Sequence, residues 1–159
     1  MRRKDREVTN QDEIIEIMRK CDVCRLAFND GEYPYIVPLN FGLFEENGSV
    51  VLYFHSAKEG RKLDAIDQNP KVGFEMDTGH KLITGQDACD CTMEYESVIG
   101  RGIIEILRDS EKEAALGLLT TRYTNRTKHV FRKEVLAQTA VLKLTVEEMT
   151  GKRLKVEKK

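Results

Sequence analysis

No apolar run in this sequence approaches the roughly 20 residues that a membrane-spanning helix requires; the longest are strand-sized. The start, Met1-Arg2-Arg3-Lys4-Asp5-Arg6, leads into a polar segment and not into the apolar core of a signal peptide, so a cytoplasmic protein without a membrane partner is expected. An excess of either charge is also missing. Twenty-six basic against 27 acidic residues leave a net charge of −1, without the basic field that nucleic-acid binding calls for. Histidine is scarce, and none of His55, His80 and His129 stands in an i, i+4 pair or another zinc-like spacing, so no metal centre is expected. Neither the nucleoside-triphosphate nor the dinucleotide glycine fingerprint occurs. No repeat or low-complexity tract appears, and no Ser-His-acid triad can be argued from spacing, because triads are recognised by geometry.

The cysteines that are present form two close pairs, Cys21-x-x-Cys24 and Cys89-x-Cys91. A four-thiolate zinc site competes with buried thiols as the reading. Buried thiols are preferred, because Cys24 opens the apolar run Cys24-Arg25-Leu26-Ala27-Phe28, whereas structural zinc sites draw their ligand pairs from tight turns. A disulfide is disfavoured in a reducing cytoplasm. At 159 residues, 40% hydrophobic and 33% charged, the chain fits one soluble globular domain over residues 1–159; a chain of this size buries about two thirds of the surface its unfolded form exposes. The basic clusters Arg2-Arg3-Lys4 and Lys152-Arg153-Leu154-Lys155, with Glu157-Lys158-Lys159, read as frayed, solvated ends.

Thr9 or Asn10 can cap a helix over residues 11–20, with Ile14, Ile15 and Met18 on one face and acids leading bases. Four strands follow, at residues 24–28, 33–39, 41–44 and 50–54. They are punctuated by Asp30-Gly31 and Asn47-Gly48 and read as an antiparallel meander. Pro38 cannot donate to a sheet ladder, so Val37-Pro38-Leu39-Asn40 belongs at an edge, a bulge or a ligand approach, or simply at a strand end. Residues 71–76 read as a strand turned by Asp77-Thr78-Gly79, and residues 81–84 as a short strand. Residues 91–107 read as a long one bent at Gly100 and Gly102. Ser110-Glu111-Lys112-Glu113 is a capping box, followed by a helix with Ala114, Ala115, Leu118, Leu119 and Tyr123 apolar. Residues 124–134 read as irregular, and residues 139–146 as a closing strand with Leu142, Leu144 and Val146 inward. The sum is a mainly β antiparallel barrel decorated by helices.

The stretch Tyr53-Phe54-His55-Ser56-Ala57-Lys58-Glu59-Gly60-Arg61-Lys62-Leu63 reads as a strand running into a helix. Unpaired N–H groups and the positive end of the macrodipole make such a turn a seat for an anion, a phosphate above all. Lys58, Arg61 and Lys62 are equivalent cations at this level, and a solvated basic face is the competing reading. His55 is either a strand-end cap or a ligand-facing imidazole able to donate a proton near neutral pH.

In order along the chain, Arg3-Lys4-Asp5-Arg6-Glu7, Cys24-Arg25-Leu26, residues 33–41, residues 52–64, Ser97-Val98-Ile99-Gly100 and Thr150-Gly151-Lys152-Arg153 resemble the nitroimidazole-resistance branch of the pyridoxamine 5′-phosphate oxidase-related flavoproteins. The resemblance spans nearly the whole chain. It implies a split β-barrel homodimer with FMN at the subunit interface. On matching positions, Val37, Pro38, Leu39 and Asn40 would pass along the flavin ring with backbone groups, and His55 and Ser56 would approach the ring and ribityl region. Arg61 and Lys62 would hold the phosphate, and Ser97 and Val98 would meet the ring's other face. Gly60 stands where the wider family commonly has serine. The arginine-rich substrate segment of the true oxidases is not matched, so the implied activity is reduction of a nitro-aromatic or other small-molecule acceptor, with His55 as catalytic residue. A non-catalytic flavin- or haem-binding protein of the same fold is the alternative.

Overall fold

The computed structural model of the chain describes residues 3–124, 126 and 128–156. Helix α1, Gln11–Lys20, starts where Asn10 Oδ1 accepts the Glu13 backbone N–H at 3.1 Å, so of the two expected caps the structure uses Asn10. Its Ile14, Ile15, Ile17 and Met18 are buried.

Two hairpins follow: β2, Cys24–Phe28, with β3, Tyr35–Leu39, and β4, Gly42–Glu46, with β5, Ser49–Ala57. Asn47 and Gly48, with φ of 51° and 81°, supply the left-handed pair that a tight hairpin turn requires. The expected four-strand meander does not form. Among the described residues β3 pairs with β2 alone and β4 with β5 alone, and the two are the opposite ends of one path that runs from β3 and β2 through three long strands, Lys71–Ile83, Thr92–Ile106 and Thr139–Leu154, to β5 and β4. The cause lies in the link between them. Phe41 is fully buried, and its backbone N–H and C=O are both bonded to the Tyr123 hydroxyl, at 3.0 and 3.1 Å, instead of to a neighbouring strand. The ends of the sheet are thus joined by the chain and not by a ladder, which makes the barrel a split one. Pro38 sits in a terminal strand, where its missing donor costs nothing.

Strand β6, Lys71–Ile83, continues through the turn expected at Asp77-Thr78-Gly79 and absorbs the short strand expected beyond it. The register merely slips between Thr78 and Lys81, with Gly79 at φ 70°. Strand β7, Thr92–Ile106, runs continuously through Gly100 and Gly102; its register against the last strand shifts between Arg101, opposite Glu148, and Gly102, opposite Val146, so the bulge expected in this strand lies in its partner, at Glu147. Strand β8, Thr139–Leu154, runs well past Val146, and β1, Glu7–Val8, pairs with its end. Lys152 and Arg153, expected in a frayed end, are therefore sheet residues. Arg153 is bonded to Glu13 at 2.7 Å and Glu96 at 2.6 Å. The terminal residues Glu157-Lys158-Lys159 and Arg2 lie outside the described residues.

Helix α2, Arg61–Gln68, buries Leu63, Ala65 and Ile66. Inside the barrel Leu26, Phe28, Leu52, Phe54, Phe74, Met76, Val98, Leu142 and Leu144 form the core, each such side chain stabilising the fold by about 1.5–3 kcal/mol. Outside it, Val51, Tyr53 and Val141 pack under helix α3, Asp109–Tyr123, through Ala115 and Leu116, with Leu136 of α4, Lys133–Gln138, beside them. The expected box at Ser110 is displaced by two residues: the Arg108 N–H is accepted by Glu111, and the helix begins at Asp109. Its buried face is Lys112, Ala115, Leu116 and Leu119. Leu118 and Tyr123 are partly exposed, so of the expected apolar set Ala115 and Leu119 are the ones that pack. Helix α4 begins inside the stretch read as irregular, of which Asn125 and Thr127 lie outside the described residues. On the outer face of β3, β2, β6 and β7, Ile36 and Ile99 stand 58% and 59% exposed. No helix among the described residues is long and apolar enough to cross a membrane.

Candidate functional site

Strand β5 ends at Ala57, and Lys58-Glu59-Gly60 lead into α2. Gly60 holds φ 128°, a conformation other residues rarely adopt, and as N-cap it offers no side chain to the first-turn N–H groups. Arg61, the first helical residue, is ion-paired with Asp30 of the β2–β3 turn, and its guanidinium lies 4.7 Å from the centroid of the Tyr35 ring. The start of α2 therefore adjoins the start of β3. Lys62 is half-buried, while Lys58 turns away toward α3, 3.9 Å from Asp109. The three cations that the sequence leaves equivalent are separated by the fold.

His55 and Ser56 are successive strand residues and point to opposite faces. His55, opposite Val141, is exposed on the side of Tyr53. Ser56, opposite Ala140, faces inward beside Phe54, and its buried Oγ has no hydrogen-bond partner among the described residues. A ligand can meet both side chains only across the strand's end at Ala57.

Along β3 the same alternation exposes Ile36, Pro38 and Asn40 and turns Tyr35, Val37 and Leu39 inward against the core. Val37 and Leu39 thus offer a ligand their backbone. The Asn40 amide donates to the Asp22 carbonyl at 3.0 Å. Tyr35 to Leu39 span about 13 Å at roughly 3.3 Å per residue, with the Arg61 cation at one end. That geometry suits an elongated ligand carrying its anion at that end. On β7, Val98 is fully buried in the core and has only backbone to offer, while Ser97 faces outward between Asp77 of β6 and Lys152 of β8.

Several polar groups here escape sequence reasoning. Arg25, directly across from Pro38, is bonded to Glu75 at 3.0 Å and to Asp77, and His80 lies 2.8 Å from the same Asp77. Burial, then the Asp77 charge, raises the Glu75 carboxyl despite Arg25. These residues are far apart in sequence and meet only through strand register. The cysteine pairs are not brought together as ligands. Cys21 and Cys24 are buried thiols, Cys21 pushed up to about 11 by burial and by nearby Asp77, and Cys24 raised by burial. Cys89 and Cys91 are exposed, beside a turn on another element.

The profile of the pyridoxamine 5′-phosphate oxidase family matches residues 10–153. No curated protein matches the chain. Among solved structures, one from Bacteroides thetaiotaomicron VPI-5482, of a protein provisionally named for 5-nitroimidazole antibiotic resistance, is similar with a TM-score of 0.79. It shares 32% identity, and the match covers 92% of this chain and 86% of that one. The FAD and heme binding protein from Mycobacterium smegmatis has a TM-score of 0.82 at 17% identity, covering 97% of this chain and 76% of its own. The flavocytochrome Anf3 from Azotobacter vinelandii gives 0.80 at 17%, covering 99% and 75%. These last two are likenesses of fold.

Proposed function

This chain belongs to the pyridoxamine 5′-phosphate oxidase family, and from that premise we propose that it is an FMN-binding flavoprotein, an oxidoreductase that reduces nitro-aromatic or similar small acceptors. The observation that carries the reading is the junction of α2 with β3. An uncapped helix start bearing Arg61 and Lys62 stands beside the first residue of a terminal strand whose inward side chains leave the backbone to face a ligand. A dianionic phosphate needs cations and amides, which the turn supplies, and a flavin ring needs donors and acceptors at its edge. The buried Ser56 hydroxyl beside the same turn, without a hydrogen-bond partner among the described residues, adds a polar group able to bond a ligand.

Arg61 and Lys62 would hold the phosphate, with first-turn N–H groups taking the place of the serine hydroxyl that Gly60 lacks. Val37, Pro38, Leu39 and Asn40 would fix the ring edge through backbone groups, and Ser97 with the backbone of Val98 would border its far side. Bound FMN would supply electron transfer to the acceptor. His55, on the exposed face, would donate a hydrogen bond or proton to the acceptor's oxygen. The open outer face with Ile36 and Ile99 suits a second copy of the chain, giving a cytoplasmic homodimer of one-domain subunits, residues 1–159, with FMN at the interface.

The visible spectrum of the purified protein tests this: flavin bands, and release of FMN rather than FAD on denaturation, are expected. Colourless protein that fails to take up FMN overturns the reading. A His55→Ala variant is expected to keep FMN and lose nitro-compound reduction. Unchanged reduction would leave the flavin and remove His55 from the chemistry. A Soret band in the same spectrum would favour the haem-binding alternative.

A further inference from the structure

Ser97 stands in a row of directly opposed residues that crosses the outer face: Asp77 of β6, Ser97 of β7, Lys152 of β8 and Glu7 of β1. Two positions back on β7, Tyr95 projects to the same side by strand alternation, and the Lys152 Nζ lies 5.4 Å from its ring centroid. Arg6 reaches this place from the short 3-10 turn Lys4–Arg6 that leads into β1. Its Nε is buried and has no hydrogen-bond partner among the described residues; the carboxylate of Asp5 is 3.9 Å away and is itself held by two bonds from Arg3. Neighbouring cations are treated differently: Arg153 and Arg25 are each bonded to two carboxylates. Asp5 is taken by Arg3, and Glu7 opposite Lys152 is the one other carboxylate of the row on this side, so two cations, Arg6 and Lys152, face a single carboxylate around one phenol and one hydroxyl.

We propose that Arg6, Tyr95 and Lys152, with the Ser97 hydroxyl beside them, form a recognition site for the carboxylate or similar oxyanion of a small organic molecule, separate from the phosphate turn at Arg61 and Lys62. Arg6 and Lys152 supply charge, the Arg6 Nε–H an unfilled donor, and Tyr95 and Ser97 neutral donors.

The phenol provides an internal reporter. Burial alone would raise the Tyr95 pKa, but hydrogen bonding of the phenolate by Lys152 and Arg6, and then their charges, together outweigh burial and lower it. The charged groups around it are Lys152 from β8, Arg6, Arg3 and Asp5 from the turn and Glu7 of β1 opposite Lys152, with Asp77 beyond Ser97. A bound anion competes with the phenolate for the same cations, so anion binding must raise the Tyr95 pKa, and ionisation of Tyr95 must weaken the anion by the same factor.

The chain has no tryptophan and five tyrosines, so tyrosinate absorbance can be read without indole overlap. The test titrates the full-length protein, as purified, with sodium benzoate at an ionic strength held constant with sodium chloride. The first tyrosine ionisation is expected to move to higher pH with benzoate, and to be missing in Tyr95→Phe. Lys152→Met and Arg6→Met, with circular dichroism unchanged, are expected to weaken benzoate by about tenfold each, as for loss of one charge-assisted bond. Arg61→Ala with Lys62→Ala is expected to leave benzoate binding as it was. The proposal is overturned if benzoate moves tyrosine ionisation no further than chloride does. It is equally overturned if Lys152→Met and Arg6→Met bind like the parent, or if the Arg61, Lys62 variant loses the site. None of these readings depends on flavin or turnover, so their failure leaves the FMN reading standing.

Discussion

The guanidinium of Arg61 lies over the ring of Tyr35, 4.7 Å from its centroid, so residues 26 positions apart in sequence bring the first turn of α2 to the beginning of β3. Asp30, in the turn just before that strand, completes the contact as the ion-pair partner of Arg61. One short hairpin thus supplies both the surface on which Arg61 rests and the carboxylate that a phosphate would have to displace.

Arg61→Ala and Asp30→Asn should therefore act in opposite directions on FMN affinity. Removing Arg61 deletes charge-assisted bonds of about 1.5–3 kcal/mol, or roughly tenfold to a hundredfold in Kd. Removing the Asp30 charge frees Arg61 from an exposed pair of about 0–1 kcal/mol, which should tighten binding by up to about fivefold. Quenching of flavin fluorescence on titration with each variant measures both. Weakening by Asp30→Asn would show that the pair orients Arg61 instead of competing with the phosphate.

Tyr123→Phe should destabilise the protein although its side chain is partly exposed. The hydroxyl accepts the Phe41 N–H and donates toward the Asp22 and Phe41 carbonyls, at 3.0–3.1 Å. Phe keeps the ring and leaves those backbone groups of the strand link unsatisfied, at a cost of about 1–3 kcal/mol. A lower urea midpoint with an unchanged slope is the expected result. An unmoved midpoint would mean that water replaces the hydroxyl.

What could be read in the residues, and what could not, follows the range of the forces involved. Helix α1, the two hairpins and the step from β5 into α2 rest on neighbours a few positions apart, such as Asn10 with Glu13 or Asn47 with Gly48, and these were legible. The split between β3 and β4 was expected from the family resemblance alone and not from the local pattern, because it is decided by Tyr123 and by Arg122, whose guanidinium bonds the Met18, Arg19 and Cys21 carbonyls and lies 4.2 Å from the Phe41 ring centroid. Locally Lys58, Arg61 and Lys62 were equivalent, and only the ordered set of motifs offered Arg61 and Lys62 as the candidates. The contacts of Arg25, Asp77 and His80, or of Arg6, Tyr95 and Lys152, depend on strand register over long separations. His55 and Ser56 illustrate the limit: the sequence offers both as candidates, and their opposite facing is a property of the strand.

Glycine positions in the sheet should divide sharply. A Cβ on Gly102 would fall 2.1 Å from the Thr145 carbonyl oxygen across the bulge, and backbone there cannot yield cheaply. Gly102→Ala should cost about 1–3 kcal/mol or more. On the outer face of β6, a Cβ on Gly73 would meet nothing nearer than 3.8 Å, so Gly73→Ala should stay within about 0.5 kcal/mol of the parent. Thermal unfolding of the two variants side by side checks the difference, and equal melting temperatures would contradict the bulge geometry.

Acid should weaken the closure of the barrel by α1 through Glu96. This carboxylate is 6% exposed and accepts from Lys20 Nζ at 3.0 Å and Arg153 Nε at 2.6 Å. Burial acts to raise its pKa, but the bonds from Lys20 and Arg153 together prevail and hold it below the ordinary value of 4.5. A carboxyl depressed in the folded state binds fewer protons there than in the unfolded chain. Its stabilisation is therefore fully present above pH 4.5 and drains away as pH falls through the lower folded value. Glu96→Gln should cost about 1–3 kcal/mol at neutral pH, as for loss of charged hydrogen bonds, and should lose less stability than the parent between neutral pH and the acid limb. Urea midpoints collected from neutral pH downward would show the two curves converging as acid is added. Parallel curves would mean that Glu96 keeps the same proton affinity folded and unfolded, and that the acid sensitivity of the fold resides in other carboxylates.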